Sequence, residues 1–240
     1  MKKNNNSGFS LVEMTVVIVV IGIIVGAVVS SKSMLRNYRV MSVISDVEEF
    51  RASIDAFSSK YKSLPGDMSD AADYWSACTD TGGNTCNGDD NGMVEYVATA
   101  AREDLRAWEH LNHAEMVKND FTGREDVSGN LVVDVNVPIS KTKSGAFDLF
   151  YYTDSTGRVG NMIRFASVNG ANLDAGVITP QEAENIDLKI DDGKSLSGEV
   201  VGENGDGVTG CIDTVPTPDE YDLDGVVKDC ILSFWLETVQ

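Results

Sequence analysis

Proline is absent before Pro65 and cysteine before Cys78, and the chain holds only two histidines, His110 and His113. With no cysteine near the N-terminus, a lipid-modified lipoprotein is excluded. Basic residues are half as many as acidic ones, 19 against 38, for a formal charge of −19. A protein that coats nucleic acid is excluded on that ground, because neutralising phosphates needs a basic surface. No Gly-x-Ser-x-Gly occurs. The Gly193-Lys194-Ser195 tripeptide has Leu188 where a phosphate loop needs its first glycine. Neither hydrolysis nor nucleotide chemistry is therefore argued for, and the expectation is a chain that is not an enzyme. A composition of 42% apolar and 24% charged residues excludes a disordered or collagen-like chain. At 240 residues there is room for one domain or two small ones.

What is present divides the chain by solvent. From Ser63 to Gln240 there are 33 acidic residues against 11 basic ones, so the first 62 residues are slightly basic. Lys2 and Lys3 precede a run, Leu11–Val29, in which Glu13 is the one charged residue. At about 1.5 Å per residue the run crosses roughly 30 Å of hydrocarbon. The lysines orient it with the N-terminus inside. A secretory signal peptide would be shorter and would end in a small-x-small site, for which Val28-Val29-Ser30 is a poor substitute. A plain anchor leaves Glu13 unexplained, since a carboxylate in an apolar helix costs about 2.5–3.5 kcal/mol and needs a partner and a task.

Taken together, Lys2-Lys3 and Gly8-Phe9-Ser10-Leu11-Val12-Glu13-Met14 resemble the class III leader of type IV prepilins and type II secretion pseudopilins. The resemblance covers about a tenth of the chain. It implies cleavage after Gly8 by prepilin peptidase, N-methylation of Phe9, and a mature chain in which Glu13 is an assembly residue. Glu13 would pair with the new α-amino group of a neighbouring subunit, each buried charge being costly alone and less so as a pair. One departure is the missing proline that kinks this helix in many major pilins; Gly22 and Gly26 are the weak points instead. The bulk of the mature chain, residues 9–240, is more than usual for a major pilin and points to a minor or tip-associated subunit.

Beyond the run, Val40, Val43, Val47, Phe50, Ile54, Phe57 and Tyr61 recur in steps of three and four on one helical face. Lys32, Arg36 and Arg39 stand at the expected membrane exit, suited either to headgroups or to plain solvation. Leu64-Pro65-Gly66 ends the helix. One helix from Phe9 to Lys62 would extend about 80 Å. A short helix is expected over Met68–Trp75, a long one over Met93–Lys118, and a third after the capping box Thr179-Pro180-Gln181-Glu182. Strands are expected at Leu131–Val137, Phe147–Tyr152 and Met162–Val168, and less strongly at Ser197–Val201, Thr209–Asp213 and Asp229–Trp235. Helix first and strands later give an α+β fold, a long N-terminal helix on a head with an antiparallel sheet, which is also the pilin-like architecture. The expected domains are a leader over 1–8, the long helix over 9–64 (transmembrane 11–29, amphipathic 30–62) and an extracytoplasmic head over 65–240.

Four cysteines permit three pairings. Nearest neighbours, Cys78 with Cys86 and Cys211 with Cys230, close polar Gly- and Asp-rich loops of favourable size, about 2.5–3.3 kcal/mol each on the chain-entropy account. The second resembles the disulfide loop near the pilin C-terminus; the other pairings stay open. Zinc is disfavoured by the long spacings and by export. His110 and His113, three apart, are expected on a solvated helix face. Asn87, Asp89 and Asn91 present oxygen at alternate positions with Gly92 sixth, as a calcium loop opens, and Glu95 would replace the absent twelfth ligand. The alternative is a set of Asx turns; some pseudopilins carry calcium, so calcium is the one cofactor considered.

The expected function is a structural subunit of a type IV pilus or a type II secretion pseudopilus. Its expected place is the inner membrane, single-pass, with the head in the periplasm, and its partners are other pilin subunits, prepilin peptidase and an inner-membrane assembly platform, without nucleic acid. A competing reading is a periplasmic enzyme or binding domain on an uncleaved anchor. The junction Gly8-Phe9 and Glu13 discriminate between them.

Overall fold

The computed structural model describes residues 10–76, 78, 86–96, 102–153, 157–213 and 219–236. The fold is α+β, with helices α1 (Leu11–Tyr61), α2 (Ala71–Tyr74), α3 (Glu103–His113) and α4 (Pro180–Ile190). Its strands are β1 (Ala146–Thr153), β2 (Val159–Asn169), β3 (Asn172–Ala175), β4 (Val200–Asn204) and β5 (Cys230–Trp235). Two compact units divide at Arg39/Val40.

In the first unit, the described side chains of α1 from Leu11 to Val28 are exposed. Leu11 is 80% exposed and Ile18 69%. In the second unit, residues 40–240, the stripe of valines and aromatics faces inward. Val40, Val43, Val47, Ile54 and Phe57 are buried, and Phe50 and Tyr61 pack against them. Lys62, with φ 62°, turns the chain away from the helix end.

The sheet is antiparallel throughout, in the order β1-β2-β5-β4, with β3 paired to β2. Phe147 and Leu149 of β1, Ile163 and Phe165 of β2, and Leu232 and Phe234 of β5 alternate into the core, as period-two strands with one buried face must. Phe50 of α1 meets Trp108 of α3 and Phe147 edge-on, with centroids 4.9 and 5.1 Å away. The opposite face carries a smaller cluster of Met162, Val201 and Trp235, with the guanidinium of Arg158 4.2 Å over the Trp235 ring. There the cross-strand neighbours Asp148 and Arg164 form an ion pair at 2.6 Å.

Several expectations need correction. Of the helix expected over Met93–Lys118, residues 97–101 lie outside the described residues; among those described it is Glu103–His113, and 93–96 are not helical, because Glu103 takes the backbone N–H groups of Asp89 and Glu95 and Tyr96 pairs with Arg102. The helix stops where Glu115 adopts φ 61°. Leu131–Val137 forms no strand but a tight turn at Asp134, with Asn136 Oδ1 accepting from Val132 N–H at 2.8 Å. Of Thr209–Asp213 only an Ile212–Tyr221 bridge remains. β3, outside the expected strands, pairs with the end of β2. The Thr179–Glu182 capping box is present and opens α4.

Candidate functional site

Cleavage and methylation, expected at Gly8 and Phe9, fall outside the described residues. Ser10 and Glu13 lie within them. Ser10 precedes α1, and its N–H donates to Glu13 Oε2 at 2.8 Å. Ser10 Oγ in turn accepts from Val12 N–H at 3.4 Å. Ser-x-x-Glu before an apolar run is a capping-box sequence. Thr15 and Ser31 donate to the carbonyls of Val12 and Ala27, at 2.9 and 2.8 Å. These hydroxyls are thus satisfied within their own helix, as backbone-seeking side chains are in apolar surroundings. Gly22 and Gly26, one turn apart, have no atom within 4 Å of where a Cβ would stand.

In the head, the segment 86–96 wraps two carboxylates. Asp67 accepts from Asn91 N–H and Gly92 N–H, both at 2.9 Å. Asp67 is 1% exposed and Glu103 4%. Burial pushes Glu103 up to about 7, and Asp67 upward as well, against the hydrogen bonds that favour their charged forms. Asp67, Asp89 and Glu103 bring oxygens within 4.8 Å of one another.

The loop residues expected to bind calcium are engaged in turns. Asn87 Oδ1 accepts from Ala72 N–H at 2.8 Å, and Asn91 Nδ2 donates to Asp89 and Glu95 at 3.1 and 3.2 Å. Of the four, Asp89 joins the converging carboxylates. The all-oxygen set of Asp67, Asp89 and Glu103 fits a hard cation such as calcium. Asp67 and Glu103 had no signal in sequence, being distant from the loop and unremarkable where they stand.

His110 departs most from expectation. It is fully buried, not solvated. Its Nδ1 accepts from Gly66 N–H and its Nε2 lies against the Cys86 carbonyl, each at 2.9 Å. Burial holds the imidazole neutral, lowering its pKa to about 4. The face of α3 opposite the apolar stripe is therefore buried too, under the 64–68 and 86–96 segments. His113 is half-buried and stacks on Trp75 with centroids 5.7 Å apart. Cys78 pairs with Cys86 and Cys211 with Cys230, with Cα separations of 5.4 and 4.8 Å.

The comparison with curated proteins found no match, and neither did the comparison with solved structures. Residues 3–29 match the family described as the prokaryotic N-terminal methylation motif. Over those residues this chain carries the class III signal peptide of type IV pilins, and it continues the motif into an apolar helix.

Proposed function

We propose that this chain is a structural subunit of a type IV pilus or a type II secretion pseudopilus. The observation that supports it is the methylation motif running into a helix whose described side chains are exposed from Leu11 to Val28. Such a surface needs lipid or neighbouring helices around it. In this reading residues 1–8 are removed after Gly8 by prepilin peptidase and Phe9 is N-methylated. Residues 9–64 are anchor and assembly helix, and residues 65–240 are the head. Glu13 meets the Phe9 ammonium of the next subunit, and the open ridge at Gly22 and Gly26 lets a neighbouring helix approach closely.

The protein sits in the inner membrane with its acidic head in the periplasm until a membrane platform draws it into the filament. Its task is mechanical, with no reaction of its own. Calcium, where bound, is held by Asp67, Asp89 and Glu103 and tightens the 86–96 segment. Mass spectrometry of the N-terminus of membrane-derived protein tests the reading. N-methyl-Phe9 is expected, and an N-terminus beyond the apolar run, or an intact Met1, contradicts it. Gly8→Ala should accumulate precursor.

A further inference from the structure

We propose that residues 30–39 of α1 bind anionic phospholipids of the leaflet through which the helix leaves the bilayer, with Lys32, Arg36 and Arg39 on the lipid phosphates. The inference rests on the proposed membrane anchoring and adds a lipid partner to it. The three cations stand three, seven and ten residues beyond Val29, where the apolar run ends. At about 100° per residue they fall within roughly 60° of one another around the helix. Arg36 and Arg39 are exposed. Met34, Leu35 and Tyr38 are exposed as well, on a separate arc. A cationic arc beside an apolar one that carries a tyrosine suits a helix crossing a membrane interface.

Depth along the helix supports the same partner. Headgroups add about 5–7 Å on each side of a hydrocarbon core of about 30 Å. For a helix along the bilayer normal, the Cα atoms of Lys32, Arg36 and Arg39 stand about 4.5, 10.5 and 15 Å beyond the run. Helical side chains lean toward the N-terminus and cover the turn before their own Cα. Here that turn is on the membrane side, so a long side chain reaches down by about 5 Å. Lys32 is within the headgroup layer by its Cα position alone. Arg36 enters the layer by its reach, and Arg39 ends a few ångström above it.

No aspartate or glutamate occurs from Met14 to Ser45, in a chain that holds 38 of them. An acid one turn away on the same helix would compete for these cations, and between those residues there is none. Near an anionic leaflet each Lys or Arg strengthens binding about fivefold. The segment therefore fixes the depth of α1 and holds the subunit at the membrane until it is drawn out.

The test places the full chain, at high dilution, in phosphatidylcholine bilayers containing spin-labelled phosphatidylglycerol or spin-labelled phosphatidylcholine. The share of each label slowed at the protein surface gives the lipid preference. A severalfold preference for phosphatidylglycerol is expected, and high salt should weaken it. Lys32→Gln and Arg36→Gln should each remove a large part of it, Arg39→Gln less, and the triple variant all of it. Arg36→Lys should keep it, and Lys189→Gln, in the head, should leave it unchanged. Resistance to carbonate extraction checks insertion on the same samples. An inserted chain with no preference, or with one that persists in the triple variant, overturns the lipid assignment and leaves the anchor reading standing. A chain that does not insert overturns both. No preference in the dilute bilayer, together with cross-linking to a second copy that the triple variant loses, gives the cations to a neighbouring acidic head and also overturns the proposal.

Discussion

His110 accepts the backbone N–H of Gly66 through Nδ1 at 2.9 Å, and so fastens the turn that ends α1 to the last turn of α3. Gly66 itself has φ +94°, and a Cβ there would lie 2.3 Å from the Glu103 carbonyl oxygen. The turn therefore requires glycine for both conformation and space. His110→Ala strands the Gly66 N–H and the Cys86 carbonyl in the interior, at about 1–3 kcal/mol each. Denaturant unfolding followed by Trp75 and Trp108 fluorescence should show a loss of about 3 kcal/mol or more. Gly66→Ala should be comparably damaging. In the parent the buried neutral imidazole keeps its pKa near 4 while the unfolded one stays near 6.5, so this site's contribution is lost as pH falls between those values. A His110→Ala protein as stable as the parent would remove the ring from this role.

Asp187 predicts the opposite slope. It is fully buried, accepting from the Tyr221 phenol at 2.8 Å and from Gly193 N–H at 3.0 Å. Burial nevertheless pushes its carboxyl up to about 7. Below the ordinary carboxylate range both folded and unfolded states are protonated, and stability is full. As pH rises toward about 7 the unfolded state ionises first, so stability falls across that window and then levels. Glu103 acts in the same direction. Asp187→Asn should flatten part of the decline in thermal midpoint, and Asp187→Asn/Glu103→Gln most of it. An unaltered profile in the double variant would refute the assignment.

Much of this was readable in sequence where one solvent contrast dominates. The stripe from Val40 to Tyr61 needed only period and a single buried face, and Thr179–Glu182 caps α4 through neighbours within one turn. β1, β2 and β5 alternate as strands should. What escaped depends on distant partners. His110, Asp67 and Glu103 are buried by segments far along the chain, which no local pattern reports. Leu131–Val137 has the residues of a strand but gives its polar groups to Asn136 and a turn. The Gly170-Ala171 hairpin loop before β3, with Gly170 at φ 64°, and the Ser10–Glu13 capping box are by contrast local signals.

Lys141 supplies a graded test of how α1 is held to the head. Its ammonium reaches Asp46 at 3.0 Å and Glu49 at 2.9 Å, while its backbone N–H donates to Asp46 Oδ2 at 3.0 Å. The Lys141 side chain is 46% exposed and that of Asp46 only 4%. Lys141→Ala should therefore cost no more than about 1 kcal/mol, as exposed pairs do. Asp46→Ala also strands a backbone N–H and should cost about 1–2 kcal/mol. Chemical denaturation of the two variants orders them; a larger loss for Lys141→Ala would invert the account.

Glu13 has two tasks that a substitution pair can separate. Its carboxylate accepts Ser10 N–H at 2.8 Å and so caps α1. In the proposed filament it also meets the neighbouring Phe9 ammonium. Glutamine keeps an acceptor for Ser10 N–H but no charge; leucine keeps neither. Both should insert in the membrane, since losing a charge makes the run from Leu11 to Val29 better suited to lipid. Both should be processed and carry a normally folded head. If charge pairing sets the register, Glu13→Gln fails to assemble as fully as Glu13→Leu, because either leaves the ammonium stranded in low dielectric at about 3–5 kcal/mol. If capping alone mattered, Glu13→Gln would assemble like the parent. Cysteine pairs placed along residues 11–28 and cross-linked in the membrane read the difference, with failure of both variants the expected result.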